Sequence, residues 1–232
     1  MSAVLAGTKA TNEHGVYHVP EGLEGRPAAK LALAGKVYEP DTIRFMCDHA
    51  GEGDIIHAGA FFGDFIPALS KALAKDKMLW AFEPNPGNFE AAQQTIKLNE
   101  LKNVTLTNAA LSNRDDVIRF KTKDEDGKSL GGLSHFVEED GPGVEAIQAA
   151  MLDFTVPLAR KVSILQLDVE GHEKQALKGA YHLIHRWQPI LILEYMGQLQ
   201  WLNRTFRGVT YTQIGKLHGN FVYVPEGSDI TL

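Results

Sequence analysis

The segment Asp54-Ile-Ile-His-Ala-Gly-Ala-Phe-Phe-Gly-Asp64 decides the fold of this 232-residue chain. Its apolar run ends at Gly59, and the sequence is helix-like from residue 62 to residue 75, with Pro67 in the early part. A strand that passes through a glycine turn into a helix begins a βαβ unit. Because glycine has no side chain, the turn also lets the backbone approach a ligand closely. The segment therefore predicts both a fold class and the position of a site.

The same alternation of strand and helix recurs along the chain. Further strands are predicted at residues 78–83, 104–110, 162–168 and 189–194, and further helices at residues 86–99 and 173–179. Two last apolar runs, 209–217 and 221–224, meet near Gly219-Asn220 and predict a hairpin. Alternation of this kind favours right-handed crossovers, so we expect an α/β protein with a mostly parallel sheet.

The remaining segments predict the domain organisation. Residues 1–35 are rich in glycine, alanine and proline and are expected to form an irregular N-terminal arm. Residues 36–232 are expected to form a single domain, interrupted by a loop and hairpin insertion at about residues 117–156. Within the insertion, residues 117–121 resemble an edge strand, and residues 127–135 form a polar, glycine-rich stretch. Such loops often form a lid or a substrate wall.

Composition limits the cellular compartment and the classes of binding partner that are expected for the protein. One cysteine, Cys47, excludes an intrachain disulfide and fits a reducing compartment. No secretory signal and no apolar run of about 20 residues is present, so a soluble, cytoplasmic protein without membrane contact is expected. The net charge of −6 opposes binding to nucleic acid. No spacing of histidine and acid matches a metal motif, so no bound metal is expected.

Acidic side chains follow the predicted strands at the edge where a parallel sheet binds ligands. Glu83 lies roughly 20 residues beyond the glycine turn, where an acid can accept hydrogen bonds from ribose hydroxyls. Asp168 and Glu170 are two residues apart and point the same way on an extended chain. They could accept a proton, bind a cation or coordinate a metal, and His172 could act as a base near neutral pH. Glu173 is expected only to flank the following helix.

Several of these segments together resemble one known family. His57-Ala-Gly-Ala-Phe-Phe-Gly-Asp64, Phe82-Glu-Pro-Asn-Pro86, Asn108-Ala-Ala-Leu-Ser112, Leu167-Asp-Val-Glu-Gly-His-Glu173 and Asn220-Phe-Val-Tyr-Val-Pro225 are similar to FkbM-type S-adenosylmethionine-dependent methyltransferases. The resemblance spans residues 38–225. It implies the class I methyltransferase fold, a Rossmann-like sandwich with a mostly parallel seven-stranded sheet and an antiparallel C-terminal hairpin. It also implies S-adenosylmethionine as cofactor and O-methylation of a hydroxyl on a sugar or another small metabolite.

The resemblance assigns roles to residues of this chain. It implies that Gly59, Ala60 and Gly63 approach the methionine part of the cofactor, that Glu83 binds the ribose, and that Asn108, Ala109 and Ala110 approach the adenine. Phe61 and Pro84, in the same segments, are expected to contact the cofactor, and Asp168 and Glu170 to lie near the departing methyl group. The family usually has an acid where His57 stands. His57 and Asp64, at the two ends of the segment 57–64, are expected to contact the cofactor. Asp64 could replace the missing acid, cofactor binding could be weakened, or His57 could simply pack in the core.

The catalytic base and the acceptor contacts stay open at this point. A hydroxyl becomes a better nucleophile as its proton leaves, and Asp168, Glu170, His172 and His135 are the candidates to take it, although Asp168 could instead bind the amino group of the cofactor. The residues expected to contact the substrate are Tyr38, His135 and Glu194, the last of which ends the predicted strand 189–194. His135 could instead be an ordinary loop histidine.

Two other functions are compatible with the same segments. A nicotinamide-dependent oxidoreductase would share the glycine turn and the ribose acid, but this sequence lacks the third glycine of that motif and a Tyr-x-x-x-Lys pair. A methyltransferase-like module that binds without turnover is the other alternative, which His57 keeps open. The expected partner is a small hydroxylated molecule, and the exposed edges and the arm are compatible with a homodimer.

Overall fold

The computed structural model describes residues 6–194 and 199–232. Its strands are β1 (Gly7–Asn12), β2 (Gly15–Pro20), β3 (Asp54–Ala58), β4 (Leu79–Phe82), β5 (Val104–Thr107), β6 (Ala110–Leu111), β7 (Val117–Lys121), β8 (His135–Val137), β9 (Val144–Ala150), β10 (Val162–Leu167), β11 (Ile190–Leu193), β12 (Tyr211–Leu217) and β13 (Asn220–Pro225). Its helices are α1 (Pro27–Leu33), α2 (Pro40–His49), α3 (Ile66–Ala72), α4 (Pro86–Leu98), α5 (Leu152–Thr155), α6 (Glu173–Lys178), α7 (Tyr181–Trp187) and α8 (Leu199–Thr205), with a 3₁₀ turn at Gly131–Leu133.

Seven strands form the central sheet, in the order β12-β13-β11-β10-β3-β4-β5. Strands β11, β10, β3, β4 and β5 pair in parallel. Strand β13 pairs antiparallel with both β11 and β12. This arrangement confirms the predicted α/β class with its mostly parallel sheet and antiparallel C-terminal hairpin.

The central strands bury side chains on both faces of the sheet. Along β3, all five residues are buried, and alternate residues face opposite layers because the side-chain period of a strand is two. Ile55 packs on the α2 and α3 side, whereas Ile56 packs on the α6 and α7 side. A strand covered on both faces shows a nearly continuous apolar run, which is why the sequence identified these strands correctly.

The turn after β3 is longer than predicted. Helix α3 begins at Ile66 instead of residue 62, because Phe61 and Gly63 have left-handed φ values of 48° and 87°, which no helix residue can adopt. The predicted strand 104–110 likewise breaks after Thr107, and β6 turns away into a second sheet. After both corrections, β3 and β5 are each followed by an irregular segment at the carboxyl edge of the central sheet.

The insertion folds into a sheet of its own. Strands β6, β9, β7 and β8 form a four-stranded sheet in the order β6-β9-β7-β8. Strand β7 therefore lies between two neighbours and is not an edge strand as predicted. The glycine-rich stretch 127–135 includes a 3₁₀ turn and leads directly into β8.

The prediction of an irregular arm was wrong for the described part of residues 1–35. Strands β1 and β2 form an antiparallel hairpin, and α1 follows. The hairpin is held by α4: the Val16 N–H donates to Asn99 Oδ1 at 3.0 Å, and the His18 N–H donates to Thr95 Oγ1 at 3.1 Å. Because these partners lie about 80 residues away in sequence, local periodicity carried no sign of them. Tyr17 is fully buried in the resulting cluster.

The described helices were also compared with the requirements of a bilayer. None of them is both long enough and apolar enough to traverse one.

Candidate active site

A cavity of about 460 Å³ lies beyond the carboxyl ends of β3, β4, β10 and β11. The N-terminal segment and the insertion form its other walls, through residues that include Ala28, Phe120 and Phe136. Sites for small molecules and cofactors usually have volumes of about 300–1,000 Å³. The cavity therefore lies where the sequence predicted a site, and its size suits small molecules.

The glycine turn is shaped by the protein's own packing. A Cβ atom on Gly59, whose φ is +88°, would lie 2.2 Å from the carbonyl oxygen of Asp168. Gly63 packs against Thr95 of α4, and Ala60 is fully buried in the core. Gly59 lines the cavity, but Ala60 and Gly63 do not. The two glycines are thus required by the close approach of β3 to β10 and to α4.

Glu83 is the best-anchored acid of the cavity, with only 4% of its surface exposed. Its Oε2 accepts a hydrogen bond from the Phe61 N–H at 2.7 Å, and its Oε1 accepts from the Asn85 N–H at 2.9 Å and from Asn88 Nδ2 at 3.3 Å. Burial raises the pKa of this carboxyl to about 7, although the three donors oppose the shift. The glycine turn and Glu83, the acid predicted to bind a ribose, are therefore joined by a direct hydrogen bond.

The predicted adenine segment divides into a structural residue and two wall residues. Asn108 Nδ2 donates to the carbonyl oxygens of Glu83 and Pro84, at 2.8 and 3.0 Å. Asn108 does not line the cavity, whereas Pro84, Ala109 and Ala110 do. The Asn108 side chain thus fixes the loop that carries Glu83.

His57 lines the cavity and is also packed in the core, as one of the predicted alternatives required. Its side chain lines the cavity but is only 2% exposed, stacks on the Phe65 ring at 5.2 Å, and hydrogen-bonds Gln166 Oε1 through Nδ1. Its Nε2 has no hydrogen-bond partner among the described residues. Burial lowers the pKa of His57 to about 4, so the ring is neutral at physiological pH. A neutral ring cannot supply the negative charge that an acid would place there.

Five further acids line the cavity around Tyr38: Glu39, Asp64, Asp168, Glu170 and Glu194. Carboxylate oxygens of Asp168, Glu170 and Glu194 all lie within 4.8 Å of one another. Burial raises the pKa of Asp168, and the neighbouring Glu194, which is hydrogen-bonded to it, raises it further. Such a group can share a proton, attract an organic cation, or offer oxygen ligands to a hard metal ion.

Asp64 and Tyr38 have shifted pKa values as well. Burial raises the pKa of Asp64 to about 7. Burial, together with nearby carboxylates such as Glu39, raises the pKa of Tyr38 to about 12. Tyr38 therefore keeps its hydroxyl proton at physiological pH and can donate a hydrogen bond into the cavity.

His172 lines the cavity on the insertion side, while His135 does not reach it. The Nε2 of His172 lies 3.2 Å from Ser112 Oγ, and its ring packs on Phe136. Burial lowers the pKa of His172, with a smaller contribution from Arg114. His135 instead contacts the Leu133 carbonyl oxygen through Nδ1 at 2.9 Å.

Sequence reasoning missed most of the insertion wall. Ile118 and Phe120 line the cavity from β7, and their alternation in Val-Ile-Arg-Phe-Lys was a usable signal. Ser134 also lines it, and its Oγ accepts from Asn85 Nδ2 at 3.0 Å. Asn88 Nδ2 contacts both Glu83 Oε1 and, at 3.2 Å, the Gly131 carbonyl oxygen. The insertion is therefore linked to the loop that carries Glu83 by polar contacts that no local pattern could reveal.

The donor set of the cavity fits S-adenosylmethionine. Glu83 offers a buried carboxylate to a sugar hydroxyl, and the other acids suit the positive sulfonium and ammonium groups. Ala110, Leu111 and Phe120 supply apolar wall for a flat heterocycle.

Comparison with known proteins identifies the family. The profile of the methyltransferase FkbM domain matches residues 57–214, about two thirds of the chain. The chain belongs to the FkbM methyltransferase family. Membership confirms the predicted enzyme class, a methyltransferase that depends on S-adenosylmethionine. The match begins at His57 itself and contains Glu83, Asp168 and Glu194. No functionally curated protein matches the sequence significantly.

Several solved structures are similar to this FkbM-family chain. The FkbM methyltransferase from Methylobacillus flagellatus KT is 16% identical, with a TM-score of 0.51, over 75% of this chain and 44% of that one. The chain thus spans less than half the length of that protein. A SAM-dependent methyltransferase from Aquifex aeolicus is 12% identical over 82% and 90% of the two chains, with a TM-score of 0.44. An rRNA methylase from Streptococcus thermophilus is 11% identical over 80% and 93%, with a TM-score of 0.46.

Proposed function

We propose that this FkbM-family protein transfers a methyl group to a hydroxyl of a small molecule, such as a sugar or another metabolite. The observation that carries the proposal is the Asp168–Glu194 pair in the cavity. A buried carboxylate whose pKa is raised by a neighbouring carboxylate is a stronger base than an exposed one. Such a group suits the removal of a proton from a hydroxyl.

The proposed roles follow the order of the strand ends. When bound, S-adenosylmethionine supplies an electrophilic methyl group on a sulfonium centre. Glu83 would bind the ribose, and Asp64 would face the ammonium group in place of the acid that His57 does not supply. Asp168, assisted by Glu194, would take the hydroxyl proton as the methyl carbon exchanges its bond to sulfur for a bond to the acceptor oxygen, with S-adenosylhomocysteine as the leaving group. Tyr38 would donate a hydrogen bond that orients the acceptor.

The size and charge of the cavity support a small acceptor. The insertion and the N-terminal segment wall the cavity to about 460 Å³. Six acids line it, and a phosphate backbone would be repelled by them. Apolar side chains such as Ile118 and Phe136 offer a surface to the carbon skeleton of a metabolite.

The proposal is tested with methyl-labelled S-adenosylmethionine and panels of sugars, phenols and hydroxy acids. We expect the label in a product that survives mild alkali, because a methyl ether is stable where a methyl ester hydrolyses. The Asp168→Asn variant should lose the transfer while it still binds S-adenosylhomocysteine. Binding without transfer to any panel member would favour the non-catalytic module, and transfer only to RNA or protein would refute the small acceptor.

A further inference from the structure

One cation lines a cavity that is otherwise acidic. Among residues 6–194 and 199–232, Arg26 is the only lysine or arginine in the cavity wall, whereas six glutamates and aspartates line it. Arg26 is half-buried and immediately precedes α1. Its side chain makes no capping hydrogen bond, and it has no ion pair or side-chain hydrogen bond in the described part of the chain.

The backbone fixes Arg26 above the glycine turn. The Arg26 N–H donates to the Leu23 carbonyl oxygen at 2.9 Å. Leu23 is buried in the same apolar cluster as Phe61, and Ala28 from the first turn of α1 belongs to that cluster too. The segment before α1 is thus packed against the turn whose Phe61 N–H binds Glu83. Arg26 therefore belongs to the part of the cavity wall that packs beside the glycine turn.

The charges of the cofactor match the charges of the cavity wall, which has one arginine and six acids among the described residues. S-adenosylmethionine carries two cationic groups, the sulfonium and the ammonium, and a single carboxylate. The cationic groups have several acids nearby in the cavity wall, whereas the carboxylate would be repelled by each acid that is ionised. A guanidinium presents its N–H groups as a fork that binds a carboxylate through two parallel hydrogen bonds.

We propose that Arg26 binds the carboxylate of the methionine part of the cofactor. The inference rests on the proposed use of this cavity for S-adenosylmethionine and adds a residue from the N-terminal segment, outside the part of the chain that the family profile matches. Arg26 then anchors the amino-acid end of the cofactor, while Glu83 anchors the ribose.

The test compares two ligands by isothermal titration calorimetry. S-adenosylhomocysteine contains the carboxylate, whereas 5′-methylthioadenosine lacks the whole amino-acid part and keeps the ribose and adenine. In Arg26→Gln, we expect the Kd for S-adenosylhomocysteine to rise about tenfold or more, the effect of losing a charge-assisted hydrogen bond. The Kd for 5′-methylthioadenosine should not change. Arg26→Lys, which keeps the charge without the fork, should give an intermediate loss.

The control is Lys30→Gln, which removes an exposed positive charge one turn along α1. Equal affinity of Arg26→Gln and Lys30→Gln for S-adenosylhomocysteine would overturn the proposal, and so would an equal loss for both ligands in Arg26→Gln, which would indicate a general disturbance of the cavity. If the unmodified protein binds neither ligand, the cofactor site itself is wrong, which is a different failure.

Discussion

Replacing Glu83 by glutamine tests the cofactor site most directly. The two donors on Oε1, from Asn85 and Asn88, will keep the amide oxygen of the glutamine on their side. The amide NH₂ then replaces Oε2, next to the Phe61 N–H. At the position of Oε2, which has only one protein donor among the described residues, the substitution therefore replaces a hydrogen-bond acceptor by a donor. The shape of the side chain changes little.

The magnitude follows from counting acceptor positions. An ionised carboxylate offers about four, and the protein uses three of them in Glu83, which leaves about one for a ribose hydroxyl. A hydrogen bond to a charged group contributes about 1.5–3 kcal/mol. At 1.4 kcal/mol for each tenfold change, the Kd of S-adenosylhomocysteine should rise about 10-fold to 100-fold.

The assay is calorimetry at pH 8, where Glu83 is ionised because its pKa is about 7. Glu83→Gln should weaken binding of both S-adenosylhomocysteine and 5′-methylthioadenosine, since both contain the ribose. The matched control is Glu90→Gln, the same exchange at an exposed position of α4. If the two variants bind with the same affinity, the ribose does not lie at Glu83 and the site has been misplaced.

Three further outcomes are expected. The folded protein keeps the Glu83 proton up to about pH 7 while the unfolded chain releases it near pH 4.5, so the free energy of unfolding should fall as pH rises between these values. Urea unfolding at pH 4 and pH 8 should show that Glu83→Gln reduces this loss of unfolding free energy by about 3 kcal/mol. The same loss in both proteins would disprove the raised pKa of Glu83. Asp168→Asn should lower kcat by about 10²–10⁴-fold. Glu194→Gln should move the acidic limb of the pH–rate profile to lower pH, because Glu194 raises the pKa of Asp168. A pH–rate profile that does not move would exclude the Asp168–Glu194 pair as the base. Gly59→Ala, whose Cβ would meet the Asp168 carbonyl at 2.2 Å, should lower the Tm by at least about 6 °C, whereas Gly132→Ala, with open space around it, should not.

The central sheet could be predicted because its information is local. Strands β3, β4, β10 and β11 are short, mostly apolar runs followed by glycine or acid, and β5 alternates apolar residues with threonine before Asn108. The hairpin β1–β2 could not, since its buried residue Tyr17 and its hydrogen bonds to Thr95 and Asn99 depend on a helix distant in the sequence. Strand β9 was missed for a similar reason: Val-Glu-Ala-Ile-Gln-Ala-Ala has few large apolar residues and becomes a strand by pairing with β7.

The same difference between local sequence information and long-range contacts explains which residues of the cavity could be predicted. Glu83 and Asp168 were identified because strand ends converge at one edge whatever the side chains elsewhere do. The roles of the neighbours could not be read in this way: Asn108 faces the backbone of residues 83 and 84, and Gly63 faces α4. Arg26 gave no sequence signal at all, because its position depends on the packing of the N-terminal segment against Phe61 and against α4, which are distant in sequence. The carboxyl edge of a class I sheet can therefore be located from the sequence, whereas the insertion and the N-terminal segment are positioned only through tertiary contacts. These two segments complete the cavity wall, and the second contributes Arg26, the only lysine or arginine of that wall among the described residues.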